Sequence, residues 1–282
     1  MKYIKLALCL MFIFVAGTFA FASDEAAPPA GSDTDKIVVK TSVNAKEMRE
    51  YKVESTIKGK APMPDLTEPF NLDVSVLYKL RHSYSNRDSD GLLPLSISMV
   101  EGQIASQGEK LSLSSNMYPK IAVLLDRNWR FEGFFGATKE QLSKSIPGIN
   151  YSNLIILFYL HDGDQPHAVG DKWESKVKLP GYGDTYNFIT MITSIDEVDG
   201  VKVAKVHQDI SWIVNGADEK QLATATAVAD SSFAVINGKL IKSHVECQVA
   251  FDSINSKENT APAQQEASKC SINIKTDISL AK

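Results

Sequence analysis

The densest group of side chains able to hold a metal ion lies between positions 161 and 167. His161-Asp162-Gly163-Asp164-Gln165-Pro166-His167 contains two imidazoles and two carboxylates. Such nitrogen and oxygen ligands bind divalent ions, which makes His161, Asp162, Asp164 and His167 a candidate metal site. The spacing matches no zinc signature, and Asp, Gly and Pro are also common turn residues. A polar turn between two structural elements is therefore the favoured interpretation.

Two cysteines, Cys247 and Cys270, have the spacing of a cross-strand pair. Each shares the parity of the apolar residues in its own predicted strand, and a register that pairs them also sets Val245 opposite Ile272. An even number of thiols in an exported chain favours a disulfide. The bond would close the polar stretch 253–268 and contribute about 3 kcal/mol by restricting the unfolded chain. Two buried thiols are the alternative.

The motifs of common catalytic sites are absent from the sequence. It contains no G-x-S-x-G, no H-E-x-x-H, no G-x-x-x-x-G-K-[ST] and no C-x-x-C. Paired carboxylates of a glycoside hydrolase converge in space rather than in sequence, so a hydrolase stays as a third alternative. We predict no catalytic residue and no cofactor, and an enzyme is the less favoured class.

The N-terminus has the pattern of a cleavable secretory signal in residues 1–22. Lys2 and Lys5 precede an apolar run, and Ala20-Phe21-Ala22 fits the A-x-A cleavage pattern. We expect cleavage after Ala22 and a secreted or periplasmic protein. A membrane anchor is disfavoured because the run is shorter than the roughly 20 residues that span a bilayer. No later apolar run is long enough to span a membrane.

The composition of the chain limits the classes of partner that it could bind and indicates how the chain is divided. The chain has 34 acidic against 30 basic side chains, a net charge of −4 and no basic cluster, so we expect no nucleic-acid binding. Residues 23–34 are small, acidic and proline-containing, which predicts a flexible tether. The remainder, 35–282, is expected to form a β-rich domain. Its two halves, 35–136 and 169–282, resemble a degenerate repeat joined by a helical segment, 137–168.

Turn dipeptides and alternating apolar residues predict long antiparallel strands. Asp199-Gly200 and Asn237-Gly238 suit type I′ turns. After Asn237-Gly238, apolar residues occupy odd positions and polar residues even ones, which predicts one buried and one exposed face. Long strands, each joined to the next, predict a mainly β fold in which an antiparallel meander forms a curved sheet or open barrel. The predicted strands are 36–43, 49–59, 71–84, 94–106, 109–115, 120–127, 185–198, 201–214, 222–236, 239–252 and 269–280.

One or two short helices are predicted near 138–160. Thr138 is a suitable N-cap with Gln141 as its capping-box partner. Apolar residues surround 154–160 on every side, so this stretch should be buried in the concavity of the sheet, as a helix or as a strand. The candidate ligand-binding residues are three apolar side chains of this stretch and one aromatic side chain in a Gly-Tyr-Gly turn: Leu154, Ile156, Phe158 and Tyr182.

This layout resembles the LolA/LppX-like envelope proteins. The shared features are a signal peptide, a long-stranded meander and central helices between two β halves, over residues 36–280. Val169-Gly170-Asp171-Lys172-Trp173 is also similar to a Gly-Asp-x-Trp strand start in many secreted bacterial β proteins. The resemblance implies an envelope setting and an open half-barrel that takes up lipid acyl chains under its helices. It carries over no functional residue.

Two functions from different classes follow. The first is a non-enzymatic exported protein that binds an apolar ligand, such as lipid, between the curved sheet and residues 138–160. The second is a structural or partner-binding envelope module with a fully packed core, whose partners are other envelope proteins. A hollow lined by apolar side chains would favour the first function.

Overall fold

The computed structural model describes residues 36–39, 42–44, 46–61, 69–115, 121–127, 129–135, 155–162, 165–178, 185–215, 221–251 and 270–281. Strands dominate this part of the chain. They are β1 (Met48–Ala61), β2 (Phe70–Tyr84), β3 (Leu93–Ser106), β4 (Glu109–Leu113), β5 (Ile121–Leu125), β6 (Phe131–Phe135), β7 (Lys172–Lys178), β8 (Thr185–Val198), β9 (Val201–Asn215), β10 (Gln221–Ala234), β11 (Leu240–Phe251) and β12 (Ser271–Leu280).

These strands form one antiparallel sheet that curves into a nearly closed barrel. The spatial order is β6-β5-β3-β2-β1-β12-β11-β10-β9-β8-β7, and β4 pairs with the second half of β3. Each half of the chain is therefore a meander, and β1 and β12 join the two meanders side by side. We call the β1–β12 pairing the seam. The predicted mainly β fold with a curved antiparallel sheet is confirmed.

Most strand boundaries agree with the sequence prediction to within two residues. The exception is 36–43, where the described residues form only a single bridge between Ile37 and His167. The strands predicted from the sequence do not include the short strands β6 and β7. The Gly-Asp-x-Trp motif nevertheless indicates a strand that starts near Trp173. Strands of five and seven residues give too few alternations for a period-two pattern to stand out.

The two predicted type I′ turns differ in the structure. Asp199 and Gly200 both have positive φ, at 51° and 76°, as a type I′ turn requires. At the second turn only Gly238 has positive φ, and its N–H donates to the Ala234 carbonyl. The β10–β11 connection is longer than predicted because Val235 donates its N–H to Lys202 of β9 instead of pairing with β11.

Little of the predicted helical segment lies within the described residues. Ile155 and Ile156 are helical and are followed by a turn, and residues 138–154 lie outside the described part of the chain. None of the helices in the described residues is long and apolar enough to cross a membrane.

The predicted pairing of Cys247 with Cys270 is wrong. The register of β11 and β12 places Cys247 opposite Ile274, four residues further along. At about 3.3 Å per residue the two cysteines are about 13 Å apart along the ladder, which is beyond the reach of a disulfide. Neither Cys247 nor Cys270 is part of a disulfide. A shift of four residues keeps the parity of every side chain, so alternation alone could not fix this register.

The seam requires a glycine in β1. Gly59 has a φ of +143°, a region that only glycine adopts readily. A Cβ there would lie 2.1 Å from the Ser271 carbonyl oxygen and 2.9 Å from the Ile272 Cα. Nearby, the Ser55 and Thr276 hydroxyls form a buried hydrogen bond of 2.8 Å across the same two strands.

We expect Gly59→Ala to lower the free energy of unfolding by about 3 kcal/mol, because it combines an unfavourable φ with a backbone clash. The matched control is Gly200→Ala, which has a positive φ but no atom within 4 Å of the added Cβ. That control should cost about 1 kcal/mol. Urea denaturation followed by circular dichroism measures the free energy of unfolding of both variants. Equal losses of stability would contradict the requirement for a glycine at position 59 of the seam.

Candidate functional site

The barrel interior contains a buried segment of the chain, residues 155–161, which we call the plug. Ile155, Ile156, Phe158, Tyr159 and Leu160 are each 2% exposed. Because these side chains are apolar on every side of the segment, full burial is the arrangement that removes most apolar surface from water. The prediction that the 154–160 stretch is buried is confirmed for these five residues, and Leu157 is partly buried.

The plug contacts both meanders. Phe158 packs against Tyr51 of β1, with ring centroids 4.8 Å apart, and against His82 of β2, at 4.5 Å. The His161 ring lies 5.0 Å from Phe188 of β8. Aromatic pairs at these separations add to the stabilisation from burial alone. The plug therefore holds the two halves of the barrel together from inside.

A second aromatic contact ties the plug to the N-terminal half. The Tyr159 ring stacks on Trp129 at 4.9 Å, and its hydroxyl lies 3.3 Å from both the Tyr84 hydroxyl and His82 Nδ1. Arg49 lies above the Tyr84 ring, 5.0 Å from its centroid, and donates from Nε to Glu47 at 2.7 Å. These contacts reduce the cost of burying the polar groups, although Arg49 Nη2 and His82 Nε2 have no hydrogen-bond partner within the described part of the chain.

Two of the four predicted ligand-binding residues can be placed. Ile156 and Phe158 belong to the plug, where their side chains are fully packed in the core. Leu154 and Tyr182 lie outside the described residues. The described members of the predicted set therefore line no hollow between the plug and the sheet.

The three described residues of the predicted metal site are not arranged as metal ligands. His161 is buried, with Nε2 3.1 Å from the Ile156 carbonyl oxygen, and Asp162 bonds Arg130 at 2.6 Å. The His167 ring stacks on Trp173 at 3.8 Å. Asp164 lies outside the described residues, among which no group of three or more His, Cys, Asp or Glu side chains is arranged to hold a metal. The arrangement fits the polar-turn interpretation.

Inward side chains of β11 and β12 become less buried toward one end of the barrel. Leu240, Val245 and Ile278 are at most 3% exposed. Further along the same faces the apolar side chains are only half-buried, and all of them except Phe251 pack against the core. We call this group the mouth; it comprises Cys247, Val249, Phe251, Ile272 and Ile274.

Small side chains lie beside the mouth on β10. Its inward face carries alanines at alternate positions, Ala223, Ala225, Ala227 and Ala229, all buried. Ala227 lies between Ile210 and Cys247 in the register of the sheet. Burial raises the pKa of the Cys247 thiol to about 12, as expected in apolar surroundings. An alanine row takes up less of the interior than the larger side chains of the neighbouring strands.

Sequence reasoning missed this row, although its signal is visible. Ala223-Thr224-Ala225-Thr226-Ala227 alternates a small apolar residue with a polar one. It also missed Tyr51, His82 and Trp129, because nothing local to each residue indicates that they converge on the plug.

Comparisons with protein-family models and with curated proteins give no match. Among solved structures, DynF from the dynemicin biosynthesis pathway of Micromonospora chersina is 8% identical, with 95% of this chain and 94% of that chain covered and a TM-score of 0.23. A DUF1329 family protein from Desulfovibrio piger is 8% identical, with 83% and 84% covered and a TM-score of 0.15. Structural similarities with TM-scores this low support no conclusion about the function of this chain.

The two core histidines predict acid sensitivity. Burial, aided by Arg49, lowers the pKa of His82 to about 3, and burial lowers the pKa of His161 to about 4. The unfolded chain takes up these protons near pH 6.5 while the folded chain does not, so stability falls as the pH drops from 6.5 toward 4. We expect a loss of about 2 kcal/mol for each histidine between pH 6.5 and 5. Urea midpoints across this range measure it.

His82→Leu should make the free energy of unfolding fall less steeply between pH 6.5 and 5. The difference should correspond to the uptake of one proton fewer on unfolding. The control is His244→Gln on the outer face, where the hydrogen bond that the imidazole donates to the Asp277 carboxylate raises the pKa of His244. Its stabilisation is present below pH 6.5 and is lost as the pH rises through the raised pKa, so the control should not flatten the slope. An unchanged slope in His82→Leu would show that this imidazole is protonated in the folded chain.

Proposed function

We propose that this chain is an exported, non-enzymatic protein that binds an apolar ligand, such as a lipid acyl chain, at the mouth. The observation that carries the proposal is the half-burial of five inward apolar side chains that lie together at one end of β11 and β12. Apolar groups that fold inward but stay partly accessible gain about 25 cal/mol per Å² when a ligand covers them.

The position of the ligand differs from the sequence expectation. The plug occupies the space between the sheet and the segment 155–160, and Phe158 already fills the site beside Tyr51 and His82. A ligand would therefore enter at the mouth and lie along the alanines of β10. Each methylene that it buries there would contribute about 0.8 kcal/mol.

The structural or partner-binding module remains the second candidate, and the plug is what favours it. Trp129, Tyr51 and Phe158 are among the largest fully buried side chains of the described residues. A core anchored by such large aromatic groups suits a rigid scaffold. The two candidates differ at the mouth: a scaffold needs no ligand there.

Export is part of the proposal. We expect the mature protein to begin at Ser23, and N-terminal sequencing or intact mass of protein expressed in a bacterial host with a periplasm measures this. Ala22→Arg should block processing, because the cleavage pattern requires a small residue. Ser23→Ala, one position beyond, is the control and should be processed normally. An uncleaved wild-type chain would contradict the export proposal.

Filling the interior beside the mouth should weaken binding of cis-parinaric acid, a fluorescent fatty acid, to the mature protein. We expect Ala227→Leu to weaken it by about tenfold or more, which corresponds to about 1.4 kcal/mol. The matched control is Val228→Leu, the next residue on the same strand, which lies on the outer face. The control should bind like the wild type.

Val249→Phe gives the same test at a half-buried position if Ala227→Leu does not fold, as judged by circular dichroism. Organic extraction of the purified protein should also recover lipid. If no lipid is recovered and cis-parinaric acid does not bind the wild type, the carrier proposal fails and the scaffold is favoured.

A further inference from the structure

The outer face of β7–β12 carries a groove of about 1010 Å³ that crosses the strands. Its floor is the backbone of one register row, which includes Phe188, Ala227 and Cys247. Outward side chains of the two adjacent rows form its walls. Six strands at a spacing of about 4.8 Å give a length of about 24 Å, so the groove suits an elongated ligand better than a compact one.

One wall is a row of uncharged polar side chains, which we call the amide row. It consists of Asn187, Ser211, Thr226, Gln248 and Asn273, which are neighbours in the sheet register on five consecutive strands. All five are exposed, and within the described part of the chain they make no side-chain hydrogen bond. Each amide or hydroxyl can both donate and accept a hydrogen bond. Sugar hydroxyl groups have the same double capacity.

The other wall alternates acidic and apolar side chains. Glu174, Asp209 and Glu246 lie on alternate strands, and between them Ile189 and Val228 are 46% and 41% exposed. Carboxylates accept hydrogen bonds from hydroxyl groups, and the aliphatic side chains offer apolar surface to the C–H faces of a sugar ring. Lys275 ends this wall on β12 and forms an ion pair with Glu246, and Lys176 lies at the β7 end of the amide row.

We propose that this groove binds an extended, neutral oligosaccharide that lies across the strands with its hydroxyl groups against the amide row. A lipid chain does not suit a groove with polar walls, because it would cover the amide row without replacing its hydrogen bonds to water. The groove is on the opposite face of the sheet from the mouth, so this site does not depend on the proposed lipid binding.

Isothermal titration of the mature protein with cellopentaose and chitopentaose tests the site. We expect at least one of the two to bind, and Asn187→Ala/Gln248→Ala to weaken its binding by about tenfold, since two side chains that can hydrogen-bond the sugar are removed. The matched control is Asn71→Ala/Gln103→Ala, which removes the same two side-chain types from β2 and β3, outside the groove. The control should bind like the wild type.

Three results would overturn the proposal. They are no binding of either pentasaccharide at millimolar concentration, equal weakening in the two double variants, and tighter binding of a heparin pentasaccharide than of the neutral sugars. The amide-row positions are exposed on the outer face, so both double variants should keep the wild-type circular dichroism spectrum. Chemical-shift changes confined to β7–β12 on sugar addition would support the groove over any other surface.

Discussion

The backbone hydrogen bonds between β1 and β12 hold the two halves of the chain in one sheet. Without this seam each half would be a separate meander with an open edge and an uncovered apolar face. The pairing joins residues very far apart in sequence, since Ser55 and Thr276, 221 residues apart, share a buried hydrogen bond. Closing so long a loop costs entropy that only a long ladder and the shared interior can offset.

The plug is the second feature that joins the two halves of the barrel, because it packs against both of them in a shared interior. Its aromatic side chains contact β1 and β2 on one side, and His161 contacts β8 on the other. The plug fills its end of the barrel, whereas the inward side chains near the mouth stay half-buried. This difference in packing within a single interior is the physical basis for the proposed ligand site.

Much of the fold could be predicted from the alternation of apolar and polar residues along each strand. Alternation assigned the correct face to Val245, Cys247 and Ile278, because successive side chains of a strand point to opposite faces. The functional candidates were less predictable. Ile156 and Phe158 were correctly expected to be buried, but their apolarity could not distinguish a ligand surface from a packed core.

The sequence by itself determined which segments are strands, where most of them turn and which face of each is buried, because these properties depend on neighbouring residues. Only the tertiary structure decided the β11–β12 register that separates Cys247 from Cys270, the pairing of the first strand with the last, and the convergence of Tyr51, His82 and Phe158. These features depend on contacts between distant segments. Many registers satisfy the same period-two pattern, and the packing of the whole interior selects one of them.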